Sequence, residues 1–167
     1  MDHPVPMVQF GVKMNDFKYI SENTIRYLSL HDCCCTRIYW DESLLIFEME
    51  WMEVMSSHPD NPYEKAHQSG TGRIILKDAV IKSGELVKGD YRIPIDTLSE
   101  IKGFEILTFD EIIDNGEFDL SLFGDSVSEP EAEFIEMKVG YSSSKVMFNE
   151  LGGVSWFESD NFCNPDQ

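Results

Sequence analysis

At 167 residues the chain has the length of one ordinary domain, and 42% hydrophobic with 12% aromatic content supplies enough apolar side chain for a core. Thirteen Lys and Arg against 31 Asp and Glu leave a formal charge of −18. Such a field repels nucleic-acid backbone and anionic lipid and disfavours both as partners.

The opening Met1-Asp2-His3-Pro4-Val5-Pro6 has neither a basic nor an apolar stretch of the secretory kind, and a cytoplasmic location is expected. Residues 1–16 read as a flexible or edge-strand segment of a single domain spanning 1–167, with 159–167 as a frayed tail. Phe17 to Leu30 reads as one short helix, capped by Ser21 or Asn23, with Ile25, Leu28 and Tyr27 inward, although Asn23 and Thr24 leave an extended form in competition. Cys33-Cys34-Cys35 follows. Consecutive cysteines rarely bridge one another, so reduced thiols are expected.

From Cys34 the pattern has a period of two. Thr36 to Trp40 reads as a strand, Asp41-Glu42-Ser43 as a turn and Leu44 to Val54 as a second strand. Leu45, Phe47, Met49 and Trp51 then share a buried face, opposite Glu48, Glu50 and Met52. No membrane span is expected, since the longest aliphatic or aromatic run, Leu44-Leu45-Ile46-Phe47, is far short of the roughly 20 residues a bilayer requires. Ser56 to Gly72 is a connection long enough to be functional or disordered. Arg73 to Ile81 reads as a strand, and Tyr91 to Ile95, bearing Pro94, as an edge strand.

Asn115-Gly116 is the clearest local signal, because a type I′ turn needs positive φ at both central residues. It pairs Phe104 to Ile113 with Glu117 to Phe123, setting Asp114 against Glu117, Ile113 against Phe118, Glu111 against Leu120 and Phe109 against Leu122. Glu111 then falls on an otherwise apolar face, at the sheet margin or beside a bulge. Glu133 to Val139, Lys145 to Asn149 and Val154 to Glu158 complete the strands. The fold class is mainly β: an antiparallel two-sheet sandwich or jelly-roll-like fold with one short N-terminal helix.

The chain does not read as an enzyme. Gly84 and Gly89 have the glycine spacing of a phosphate loop, but Asp90-Tyr91 sets a carboxylate where phosphate would lie. Asp110 to Asp119 lacks the residue order of a calcium loop. No cofactor is indicated, and the metal ligands on offer, His31, Cys34, His58 and His67, have no zinc-site spacing.

Leu30-His31-Asp32, the short strand Thr36 to Trp40 and the alternating Leu44 to Val54 resemble the opening of small bacterial β-domains, among them immunity-type proteins of toxin systems. This sequence departs from them in placing Cys33-Cys34 where a small hydroxyl and a polar residue are expected. The resemblance implies a non-enzymatic protein that acts by binding another protein. Residues 103–167 carry only Lys138 and Lys145 against 15 Asp and Glu, so the expected partner is a basic protein surface. The residues expected to meet it are Glu117, Asp119, Glu129, Glu131, Glu133 and Glu136, with Trp156 as an aromatic anchor. The alternative is a ligand or metal site near His31, Cys33 to Cys35 and the connection bearing His58 and His67.

Overall fold

Alternating side chains in short segments dictate strands, and the computed structural model, which describes residues 16–126 and 133–159, consists mainly of them. In chain order these are β1 (Tyr19–Glu22), β2 (Leu28–Ser29), β3 (Cys34–Asp41), β4 (Leu44–Met49), β5 (Glu53–Val54), β6 (His67–Ser69) and β7 (Gly72–Lys77). After them come β8 (Val80–Lys88), β9 (Tyr91–Pro94), β10 (Phe104–Asp114), β11 (Glu117–Asp125), β12 (Glu133–Tyr141), β13 (Ser143–Phe148) and β14 (Leu151–Val154). They form two antiparallel sheets, a large one ordered β1-β13-β7-β4-β3-β10-β11-β12-β8-β9 and a small one ordered β14-β6-β5-β2.

The expected N-terminal helix is absent among the described residues. Asn23 sits at φ 55, a left-handed conformation that no helix tolerates. Its N–H donates to the Ser144 carbonyl and its Oδ1 accepts the Ser144 N–H at 2.9 Å, so β1 is drawn onto β13 as an edge strand. Only a single 3₁₀ turn, Ile25–Tyr27, remains of the helix.

Two expected strands are each broken in two. The run Leu44 to Val54 ends as β4 at Met49 and resumes as β5 in the other sheet. Ser69 causes the bend: its Oγ accepts the Met52 N–H at 2.9 Å and its own N–H donates to the Met52 carbonyl. Gly72 makes room for it, since a Cβ there would stand 2.4 Å from the Met52 methyl. The run Arg73 to Ile81 breaks at Asp78, at φ 52, which sends β8 away from β7. Of Val154 to Glu158, only Val154 is strand, and Trp156–Glu158 is a 3₁₀ turn. Tyr91–Pro94 is an edge strand as its proline requires.

The large sheet has two halves, joined where β10 meets β3 by just two residue pairs, Phe104 with Cys35 and Glu105 with Cys34. Inward side chains of both halves, Phe47, Ile74 and Leu76 on one side and Leu120, Leu122, Ile135 and Met137 on the other, share one buried core. The Phe47 and Phe109 rings meet edge to face across it at 5.9 Å. Val54 and Met52 extend that core under the small sheet. Trp51 packs half-buried against it.

The long connection is ordered by two buried polar side chains. Asn61 Nδ2 donates to the carbonyls of Val54, Met55 and Lys65, while its Oδ1 accepts the Tyr63 N–H at 2.8 Å. His58 accepts the Asp60 N–H at Nδ1, which leaves Nε2 protonated and donating to Ser21 Oγ at 3.2 Å. Burial lowers the pKa of His58 and keeps the ring neutral.

Candidate functional site

Register decides which carboxylates share a face. β10 and β11 pair from Asp114–Glu117 to Thr108–Phe123 without a break, and Asn115 and Gly116 have φ of 51 and 77, as the type I′ turn demands. Period two then sends Phe109, Glu111, Leu120 and Leu122 inward and Asp110, Ile112, Asp114, Glu117, Asp119 and Asp125 outward. Glu111 is explained by a distant residue. The Tyr141 hydroxyl, from β12, donates to Glu111 Oε2. Burial and this carboxylate together push the Tyr141 phenol pKa well above its ordinary range.

The outer face is acidic but not uniformly free. Asp119 holds the Lys82 ammonium, and Arg92 bridges Glu85 at 2.9 Å and Glu136 at 3.1 Å. Those contacts raise the pKa of both cations, Lys82 through Asp119 and Arg92 through Glu85 and Glu136. No cation is paired with Asp110, Asp114 or Glu117 among the described residues. The carboxylates without an ion-pair partner therefore concentrate at the hairpin end, Glu117 there lying within the field of Lys82. Ile112 and Ile113 project there, 59% and 48% exposed, on opposite faces of the same ribbon. On the outer face, exposed Ile112 thus stands among the carboxylates of Asp110, Asp114 and Glu117.

The expected partner residues are thus only partly assembled. Glu117, Asp119 and Glu136 lie on the outer face, and Glu129 and Glu131 lie outside the described residues. Glu133 is buried on the inner side with Ile135 and Met137, and its Oε2 lies 3.5 Å from Lys88 Nζ. Trp156 is 48% exposed and stacks edge to face on Phe157, but its 3₁₀ turn follows a strand of the small sheet. Asp110, Asp114, Ile112 and Ile113 were not among the expected residues. The Asn-Gly register already placed the first three on the face of Glu117 and Asp119.

The metal candidates are dispersed. Among the described residues no three His, Cys, Asp or Glu side chains are grouped to hold an ion. His31 Nδ1 bonds the Leu107 carbonyl at 2.8 Å, and His67 Nδ1 bonds the Lys65 carbonyl while its ring stacks on Tyr63 at 4.1 Å. Cys33 and Cys35 are fully buried and bond the carbonyls of Ser29 and Arg37. Burial pushes the Cys33 thiol up to about 12, and burial beside Glu50 raises Cys34. Such thiols are poor nucleophiles.

One further carboxylate is buried beneath the small sheet. Glu53 is 1% exposed and accepts a hydrogen bond from the Ser155 hydroxyl, itself wholly buried. Desolvation raises the Glu53 pKa, and the Ser155 bond only partly opposes it. A raised carboxyl contributes stability that is fully present below about pH 4 and is lost as pH rises through the folded value. Glu53→Gln removes this dependence. Urea denaturation at about pH 8 should find the variant more stable than the wild type, with the difference closing near pH 4. A wild-type advantage at both pH values would refute this account of Glu53.

No described helix is long and apolar enough to cross a membrane. Compared with family models, curated proteins and solved structures, the chain matches none of them.

Proposed function

We propose that this chain is a non-enzymatic binding protein, immunity-like or inhibitory in its mode of action, that recognises a basic protein surface with the outer face of the β10–β11 hairpin. The observation that carries the reading is the set of carboxylates at Asp110, Asp114 and Glu117, unpaired among the described residues and ringing exposed Ile112. The likeness of Leu30-His31-Asp32 and the strands after it to immunity-type proteins supports the same mode. The scaffold we assign to that role is a sandwich, supported by the main core shared between the two halves of the large sheet.

Steering charges act mainly on the rate of encounter and are screened beyond about 8 Å at physiological ionic strength. The test is the triple variant Asp110→Asn, Asp114→Asn, Glu117→Gln, measured against a partner purified with the wild-type chain from its host. Its association rate should fall by about tenfold at low salt and lose most of its salt dependence, with dissociation changed less. An unchanged rate and an unchanged salt slope would leave these carboxylates as a merely solvated face.

A further inference from the structure

The same hairpin carries an open strand edge. In a two-residue type I′ hairpin the residues flanking the turn exchange both backbone hydrogen bonds, and every second pair thereafter does the same. Asp114, Ile112, Asp110 and Thr108 therefore point their N–H and C=O groups at β11. Those of Phe109, Glu111 and Ile113 point the other way. On that side β10 is paired only near its start: Phe104 and Glu105 meet β3, Ile106 exchanges bonds with Cys33 and Asp32, and His31 takes the Leu107 carbonyl. Among the described residues no backbone hydrogen bond satisfies this edge beyond Leu107.

The chain leaves space there. Just before His31 the backbone runs in the small sheet, where β2 pairs with β5 and is itself an edge strand. Between β2 and β10 opens a cleft of about 330 Å³, lined by Ser29 and Met55 on one side and by Thr108 and Asp110 on the other. Arg26 and His31 lie at its base, and the free positions run from Phe109 outward to the turn.

We infer that the open edge of β10, from Phe109 to Ile113, is a strand-addition site for an extended basic segment of another protein. The inference rests on the binding function proposed above and specifies how the partner is held. Charge complementarity chooses the occupant. Residues 103–125 carry seven carboxylates and no Lys or Arg. A strand laid on this edge sets its alternate side chains beside Asp110, Ile112 and Asp114, where opposite charges across a ladder stabilise and like charges repel. A second copy of this chain in antiparallel pairing would bring those carboxylates against their own kind, at a net charge of −18 per molecule.

The test follows backbone amide exchange of the full chain with and without a peptide of about ten residues alternating lysine and valine. The peptide should bind at low salt and slow exchange at the Phe109, Glu111 and Ile113 amides above all others. Ile113→Pro removes an N–H that has no partner among the described residues, so it should keep the thermal midpoint and weaken binding by about tenfold or more. Protection in the wild type is read without any variant, so a misfolded proline variant leaves the test intact. If the peptide binds but those amides stay unprotected, the edge site is wrong and the acidic surface stands. Absence of binding at low salt overturns both. Sedimentation that shows a dimer abolished by Ile113→Pro overturns the choice of occupant.

Discussion

Phe104→Ala should lower the stability of the fold by about 4 kcal/mol, the middle of the range for a buried phenylalanine truncated to alanine. Phe104 is wholly buried and stands at the two-pair join between β10 and β3. Its ring fills the space left by Gly124, where a Cβ would lie 2.6 Å from Phe104 Cδ2. Removing the ring thus empties the seam through which the halves of the large sheet share a core. Phe123→Ala is the control. Phe123 stacks on Phe134 at 5.4 Å on the outer face and is half-buried, so its loss should cost about 1 kcal/mol. Urea titration of both variants measures the contrast, and equal losses would show that the seam has no special weight.

Arg73→Met should cost about 3 kcal/mol, because removing one member of a buried ion pair strands the other. Arg73 is 5% exposed on the outer side of β7, with Nη2 2.7 Å from Glu48 Oε1 and its guanidinium 5.4 Å from the Phe17 ring centre. The Tyr39 hydroxyl donates to the same carboxylate oxygen at 2.7 Å, and burial with this bond pushes its pKa up to about 12. Arg73 Nε meets no acceptor among the described residues, so the pair is incompletely satisfied. Adding Glu48→Leu to Arg73→Met should therefore recover most of the loss. A double variant as unstable as the single one would mean that the ion pair contributes more than apolar packing of the same shape.

The parts of this fold that were legible in the sequence are those decided locally. Asn115-Gly116 dictates its turn, and the turn fixes all four pairings read from it, Glu111 opposite Leu120 included. The misfit of Glu111 was visible in the pattern, but its remedy, the Tyr141 hydroxyl, comes from 30 residues away. The N-terminal helix failed for the same reason at longer range: Asn23 is held by Ser144 across 121 residues. Alternation also misleads where a chain changes sheets, as at Met52, whose bend depends on Ser69 and Gly72. Of the acidic site, register was readable. Burial of Glu133 and neutralisation of Asp119 by Lys82 were not, because both depend on β8 lying beside β12.

The pairing of β1 with β13 has a consequence for synthesis. Tyr19 lies opposite Phe148, so when the first strand leaves the ribosome its partner has not yet been made. At ordinary elongation rates the delay is roughly ten seconds. The β3–β4 and β10–β11 hairpins close within themselves during that interval, but the nascent chain holds β1 and the β7 flank unpaired until β13 emerges. Bringing together segments so far apart in sequence also slows folding after release. A ribosome stalled before residue 143 should therefore display a protease-sensitive first strand, and one stalled well past residue 148 a protected one.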